Sequence, residues 1–213
     1  MNMKFYLKIS SILVATAFLS TLPVEAQTFQ QTKQGITGTT QGMDIEIQFV
    51  SPEIVRVVKA PEGRSFTKKS LSVVKSPESM SVTTEKKGET VSLKSNAVRV
   101  DFNVETGRIS FFDKQGKALF TEKDYGAQFT PFNDAWNQTF SVRQAFLLDK
   151  DEAIYGLGQQ QVDDLNQRNH KHFMRQRALY ASVPIIQSTK GYGMFWDNYS
   201  PTTYTDNPQE MSF

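Results

Sequence analysis

The stretch AVRVDFNVETGRISFF, residues 97–112, decides the fold. Apolar side chains at Val98, Val100 and Phe102 alternate with polar ones, which is typical of a β-strand with one buried face. The sequence ETG interrupts this alternation, and Gly107 accepts the positive φ that a tight turn requires. We therefore predict an antiparallel hairpin of two strands joined at Gly107.

The same pattern continues on both sides of this hairpin. Short alternating or apolar runs are separated by turn residues, and the turns recur roughly every 8 to 12 residues, as in sandwiches and barrels. Between residues 43 and 160 no apolar stripe keeps the helical period of about 3.6 residues. The fold class is therefore predicted to be all-β. A short helix is allowed at 162–167. Further strands are predicted at 45–49, 54–58, 71–74, 81–84 and 91–93.

The first 26 residues have the pattern of a secretory signal peptide. Lys4 and Lys8 provide a basic start, residues 9–22 are apolar, and Val-Glu-Ala at 24–26 offers a cleavage site. Because the apolar run is too short to span a bilayer, we expect cleavage and no membrane insertion. An uncleaved N-terminal anchor is the alternative.

Cleavage after Ala26 leaves residues 27–42 at the start of the mature chain. This stretch is rich in Gln, Thr and Gly and has few apolar residues, which predicts a flexible lead-in. The folded β-domain is therefore expected to span residues 43–213. Export places the protein in the bacterial periplasm or at the cell exterior.

The composition excludes several kinds of site. The chain has no cysteine, so it has no thiolate zinc site, no thiol nucleophile and no disulfide. The formal net charge is +2, and basic residues are interleaved with acidic ones. Nucleic acid is therefore not an expected partner.

Four spaced motifs within residues 151–206 differ from the generic strands before them: YGLGQQ, LNQR, RQR and VPIIQSTKGYGMFWDNYS. In this order they resemble the end of the N-terminal β-sandwich of glycoside hydrolase family 31, the α-glucosidase and α-xylosidase family. Residues 98–120 add a weaker likeness to the paired strands of that family, and residues 27–96 match only in general strand character. The resemblance implies an antiparallel, galactose-mutarotase-like β-sandwich.

The resemblance also implies a retaining glycosidase that acts on oligosaccharides with terminal α-linked xylose or glucose. In the family an Asp nucleophile and an Asp acid–base lie on a (β/α)₈ barrel that follows the sandwich and needs about 250 residues. The sequence ends at Phe213, so no catalytic residue is assigned here, and the chain alone is expected to be inactive. Gln159, where Glu is commoner, and the LNQR motif favour the α-xylosidase branch.

The loop 159–181 is the predicted functional element, because the family extends a loop of this domain over the mouth of the barrel to help hold the terminal sugar. The sequence FMRQR places Arg175 and Gln176 where α-glucosidases often carry an Arg-Asp pair. The resemblance therefore makes Arg175 and Gln176 the candidate substrate-binding residues. The amide of Gln176 donates and accepts hydrogen bonds, as sugar hydroxyls require. A surface-loop contact is the alternative.

His170 and His172 form a His-x-His pair, which on a strand would face one side and offer two metal ligands. A third ligand is not apparent, and the family needs no metal. We therefore expect neither a metal nor another cofactor, and a packing role for both histidines.

The stretch STKGYGMFWDN, residues 188–198, is predicted to be a core strand. Alternation would place Tyr192, Met194 and Trp196 on one face. Stacking of these aromatic rings on a sugar is the alternative. Asp197 and Asn198 are expected to end the strand by hydrogen-bonding their own backbone.

Two functions fit the sequence. The first is the N-terminal portion of a secreted family 31 α-glycosidase, which supports a substrate site completed by the missing barrel. The second is a free-standing, non-catalytic, carbohydrate-binding β-sandwich. A solvent-exposed apolar face, of the kind that packs on another domain, would favour the first over the second.

Overall fold

The computed structural model describes residues 29–64, 69–160 and 162–213, and the regular structure in these ranges is all β-strand. This confirms the all-β prediction. No helix in these ranges is long and apolar enough to cross a membrane. The predicted signal peptide, residues 1–26, lies outside them. The strands are β1 (Phe29–Gln31), β2 (Gly35–Thr40), β3 (Met43–Ser51), β4 (Ile54–Pro61), β5 (Thr83–Lys87), β6 (Thr90–Lys94), β7 (Val98–Asn103), β8 (Ile109–Asp113), β9 (Ala118–Asp134), β10 (Asn137–Leu147), β11 (Ile154–Gln159), β12 (Lys171–Met174), β13 (Ala181–Ser188), β14 (Gly193–Phe195), β15 (Thr202–Asn207) and β16 (Glu210–Ser212).

The strands form three antiparallel sheets. Nine strands make the largest, in the order β12-β15-β16-β10-β9-β8-β7-β6-β5. A four-stranded sheet, β1-β2-β3-β4, and a three-stranded sheet, β11-β13-β14, complete the fold. The architecture is the antiparallel β-sandwich that the sequence predicts.

The core has two parts, one for each small sheet. In the first, Ile47 of β3 packs in the same cluster as Val100 of β7. In the second, Ile186 of β13 packs in the same cluster as Phe120 of β9. Phe111 of β8 contacts both clusters. Both small sheets therefore pack against the nine-stranded sheet, next to each other.

The hairpin predicted at 97–112 is confirmed as β7 and β8, which pair from Val98 opposite Asp113 to Phe102 opposite Ile109. Gly107 has a φ of +73° in the connection. The side-chain oxygen of Asn103 accepts hydrogen bonds from the N–H groups of Glu105 and Thr106, which closes the turn.

The predicted flexible lead-in at 27–42 is wrong for the residues that the structure describes. Strands β1 and β2 lie there, and β2 pairs with β3 along its whole length. Ile36 is 1% exposed and belongs to the first core cluster. Gly35 lets the backbones approach, because a Cβ at this position would lie 1.9 Å from the carbonyl oxygen of Ile47. These strands were not predicted from the sequence because one of their faces is solvated, so their composition is mostly polar.

Two further local predictions are wrong. Residues 71–74 are not a strand, and Leu71 and Val74 are 82% and 96% exposed. The Ser70 hydroxyl accepts hydrogen bonds from the N–H groups of the second and third residues after it, so the chain bends there. Residues 162–167 are irregular instead of helical. The Asn166 side chain accepts a hydrogen bond from the N–H of Ile154 and holds this segment against β11.

The longest strands, β9 and β10, form one hairpin whose far end, residues 130–142, we call the arm. Its turn contains Ala135 and Trp136 at φ values of +45° and +77°. Non-glycine residues rarely adopt this conformation, so no glycine marks this turn in the sequence. Trp136 is 93% exposed at the tip.

A buried ion pair joins the four-stranded sheet to the nine-stranded sheet. Lys59 Nζ on β4 lies 2.7 Å from Glu122 Oε2 on β9, and neither side chain is more than 5% exposed. The carboxylate of Glu122 also accepts hydrogen bonds from the Ile109 N–H and the Gln144 amide. Burial raises the pKa of the Glu122 carboxyl, while Lys59 and these hydrogen bonds act in the opposite direction.

Candidate functional site

The glycines of the YGLG motif let β11 lie close to β13. Gly156 and Gly158 have φ values of +122° and +78°. A Cβ on Gly156 would lie 2.2 Å from the carbonyl oxygen of Ile185, and one on Gly158 would lie 2.0 Å from that of Ala181. Any larger residue would therefore clash with the neighbouring backbone. The motif is a structural element of the three-stranded sheet.

The arginine of the LNQR motif ties three parts of the chain together. Arg168 Nε lies 2.9 Å from Asp206 Oδ2, and the Asp206 side chain is 1% exposed. The Arg168 Nη1 donates to the carbonyl oxygens of Asp149 and Glu152. Asp206 Oδ2 also accepts a hydrogen bond from the Asn169 N–H. Arg168 therefore fixes the start of the loop 159–181 against β15.

Glu152 is a second connection that the sequence did not reveal. Its Oε1 accepts hydrogen bonds from the hydroxyls of Ser188 and Tyr192, and its Oε2 accepts one from the N–H of Asp149. Burial and the hydrogen bond to Glu152 raise the pKa of Tyr192, so its hydroxyl stays protonated. Glu152 thus joins the residues before β11 to the turn between β13 and β14. No local pattern marks it, because its partners lie far along the chain.

His170 and His172 stack side by side, with ring centroids 5.7 Å apart. His172 is 7% exposed, and its Nε2 lies 2.6 Å from Gln167 Oε1. Burial lowers the pKa of His172, with a smaller contribution from His170. Within the described ranges, no three His, Cys, Asp or Glu side chains lie together in a way that could hold a metal ion.

The prediction of one strand over residues 188–198 is only partly confirmed, because β13 ends at Ser188, a turn follows, and β14 covers only Gly193–Phe195. Tyr192, Met194 and Trp196 all pack against the second core cluster, and the Trp196 ring stacks on Phe213 at 5.6 Å. The side-chain oxygen of Asn198 accepts a hydrogen bond from the N–H two residues later, although β14 already ends at Phe195. These rings belong to the core and do not form an open sugar platform.

The candidate residues Arg175 and Gln176 lie together in an exposed turn that follows β12. The Gln176 amide nitrogen donates to the carbonyl oxygen of Tyr180 at 2.7 Å, and its oxygen accepts from the N–H of Ser182 at 3.3 Å. The Gln176 side chain therefore closes its own turn. The Arg177 guanidinium lies over the Tyr180 ring, 5.5 Å from its centroid. A substrate contact by Arg175 and Gln176 stays a prediction.

The outward side of the three-stranded sheet carries an exposed apolar surface, which we call the outer face. It consists of Tyr155 on β11 and of Val183 and Ile185 on β13, each about two-fifths exposed, and Phe173 on the nearby β12 is 52% exposed. The buried residues Leu157 and Ile186 lie on the opposite side. The sequence ASVPIIQS indicates this face, because apolar residues occur there at positions that point to both sides of the strand.

The comparisons with known proteins agree on one family. Residues 44–204 match the model of the glycosyl hydrolase 31 N-terminal galactose mutarotase-like domain. An α-xylosidase from Saccharolobus solfataricus is 31% identical over 168 residues, which cover 74% of this chain and 22% of the relative.

Solved structures share the same fold. A family 31 α-xylosidase from Xanthomonas citri superimposes with a TM-score of 0.78 and 31% identity over 83% of this chain and 20% of its own. A family 31 α-xylosidase from a soil metagenome, solved with xylose, gives a TM-score of 0.74 at 24% identity over 87% of this chain and 30% of its own. The chain therefore spans between a fifth and a third of the length of these relatives.

Proposed function

Because the chain belongs to glycoside hydrolase family 31, as its N-terminal galactose mutarotase-like domain, we propose that it supports the substrate site of an exported α-glycosidase. The substrate is an oligosaccharide with a terminal α-linked sugar, and xylose is favoured over glucose. The reaction is retaining hydrolysis, and both catalytic aspartates lie outside residues 1–213.

The outer face is the observation that carries this proposal. Three apolar side chains of about two-fifths exposure on one sheet are costly to leave in water unless another surface covers them. The relatives are about three to four times as long as this chain, and a domain beyond the matched region would cover the face. The same face argues against the alternative, a free-standing carbohydrate-binding sandwich.

The loop 159–181 supports the position of the sugar site. It begins at β11, beside the outer face, and the ion pair of Arg168 with Asp206 fixes its start. The turn at Arg175 and Gln176 lies on the solvent side, near the strand that carries Phe173. A domain docked on the outer face would therefore lie next to the Arg175 guanidinium. Arg175 would donate hydrogen bonds to sugar hydroxyls, while Gln176 would hold the turn in place.

Export to the periplasm or the cell exterior completes the proposal, and it rests on the sequence of residues 1–26. N-terminal sequencing of the protein from the native host tests it. Export and cleavage predict a mature chain that begins at Gln27. A protein that retains Met1 in the cytoplasmic fraction would contradict it.

The kinetics of Arg175 variants test the site directly. The longest polypeptide encoded by the reading frame that contains these residues would be assayed on an aryl α-xyloside and an aryl α-glucoside. Arg175→Ala is expected to raise KM about tenfold, as loss of a charged hydrogen bond of about 1.5 kcal/mol would do. Arg64→Ala, an exposed arginine at the end of β4, is the matched control. Equal kinetics for Arg175→Ala and the control would contradict a sugar contact.

A further inference from the structure

A groove lies between the arm and the four-stranded sheet, away from the loop 159–181. It has a volume of about 350 Å³, which falls in the range of about 300–1,000 Å³ typical of small-molecule sites. The turn between β2 and β3 forms one wall, and the base of the arm forms the other. The end of β4 closes the floor at Pro61.

The lining of the groove combines aromatic rings with amides. Phe129 and Phe140 are half-buried and meet edge to face, with ring centroids 6.2 Å apart. Met43 adds a sulfur-containing apolar side chain, and Gln41 and Gln128 add amide groups. Among the residues that the structure describes, the eight that line the groove carry no charge. The lining therefore fits a neutral ligand with one apolar face and several hydroxyls.

The backbone at the arm tip supports a binding role. Ala135 and Trp136 both adopt positive φ, which costs roughly 1–2 kcal/mol for each residue with a side chain. Such strain persists where the surrounding structure enforces it, and it is concentrated at functional sites. Here it presents an indole that is 93% exposed, and the arm also exposes Phe132 to 52%. The arm therefore keeps large aromatic surfaces in solvent.

We propose that the groove and the arm form a carbohydrate site, which binds a neutral pyranose oligosaccharide. A pyranose ring has an apolar face for Phe140 and Phe129. Its equatorial hydroxyls would pair with the Gln128 amide and with the amide oxygen of Gln41, whose nitrogen donates to the carbonyl oxygen of Glu105 at 2.8 Å. Further sugar units would extend along the arm toward Trp136. The choice of a sugar rests on the proposed function, whereas the groove itself does not involve Arg175 or the outer face.

Methionine methyl NMR of the 213-residue chain tests the site, with isomaltotriose as the probe and sorbitol as an acyclic polyol control. The expected result is a saturable shift of the Met43 methyl with isomaltotriose and none with sorbitol. Met211, which is fully buried in the second cluster, serves as the internal reference. This measurement needs no catalysis, so its outcome is independent of the kinetics of the Arg175 variants.

Two variants complete the test. Phe140→Ala removes a groove wall and is expected to weaken binding about tenfold, as loss of a stacked ring does. Leu71→Ala changes an apolar side chain that is 82% exposed and belongs neither to the arm nor to the groove lining, and is expected to bind as the unchanged protein does. No saturable shift at Met43, or equal affinity in both variants, would overturn the proposal. A shift that follows protein concentration without sugar would also overturn it, because a second copy would then fill the groove.

Discussion

Arg168 and Asp206 lie 38 residues apart in sequence and form an ion pair of 2.9 Å in which the Asp206 side chain is 1% exposed. The pair joins the LNQR motif to strand β15. It gives a physical reason for an arginine at this position, because the buried carboxylate needs a cation that also satisfies backbone carbonyls.

Loss of this arginine is expected to destabilise the fold. Arg168→Met leaves the Asp206 carboxylate buried without its partner, and breaking such a pair costs about 3–5 kcal/mol. Arg56→Met is the matched control, because Arg56 and Glu46 are about two-fifths exposed and 3.6 Å apart, so that pair contributes about 0–1 kcal/mol. Urea unfolding of both variants measures the difference. Equal midpoints would contradict the role of Arg168.

The Lys59–Glu122 pair predicts a pH-dependent variant. In Lys59→Met the carboxyl of Glu122 stays buried and loses the ammonium that opposes the rise of its pKa. Folding then favours the protonated acid, so the stability of the variant is highest below the ordinary pKa of 4.5 and falls as pH rises through the raised value. Thermal unfolding from about pH 4 to pH 8 measures this slope. The double variant Lys59→Met, Glu122→Gln should abolish it, and a slope that persists there would refute this origin.

His172 predicts a loss of stability in mild acid. Burial lowers its pKa from the ordinary 6.5, so the folded protein resists the proton that the unfolded chain accepts. The stability contributed by neutral His172 is therefore complete above about pH 6.5 and is lost as pH falls through the lowered value. His172→Gln should flatten the stability curve in this window, and His170→Gln should flatten it less, because His170 makes only the smaller contribution to the lowered pKa of His172. Parallel curves for the protein and His172→Gln would contradict this prediction.

The YGLG motif predicts a large loss of stability when one methyl group is added to a glycine. In Gly158→Ala the new Cβ would lie 2.0 Å from a backbone carbonyl oxygen at a φ of +78°, so β11 and β13 must separate. We expect a loss of more than about 3 kcal/mol, or failure to fold. Gly191→Ala is the control, because its φ of +88° is strained but its surroundings are open, which costs about 1–2 kcal/mol. Similar losses in the two variants would show that close strand approach is not the cause.

Local patterns predicted the features that depend on neighbouring residues. The hairpin at 97–112 and the strand at Gly193–Phe195 have alternating side chains and turn residues nearby in the sequence. The strand β2 was missed because its burial depends on β3 and on the close approach at Gly35. The turn of the arm was missed because Ala135 and Trp136 occupy positions where glycine or asparagine is usual.

Long-range polar contacts could not be predicted from one sequence. Lys59 and Glu122 are 63 residues apart, and Glu152 meets Tyr192 across 40 residues. Alternation specifies which face of a strand is buried, but not which charged residue faces another across two sheets. The positions of Arg175 and Gln176 were found through the family resemblance, whereas the role of the Gln176 amide in closing its own turn required coordinates.

The assignment of catalysis to residues beyond this chain is tested most directly by the hydrolytic activity of the purified 213-residue chain. Release of product from an aryl α-xyloside and an aryl α-glucoside would be followed across successive chromatography fractions, with the longer polypeptide of the same reading frame as the positive control. The account predicts no turnover above background for the chain and turnover for the longer polypeptide. Turnover that coelutes with the chain and disappears when the chain is unfolded would contradict it.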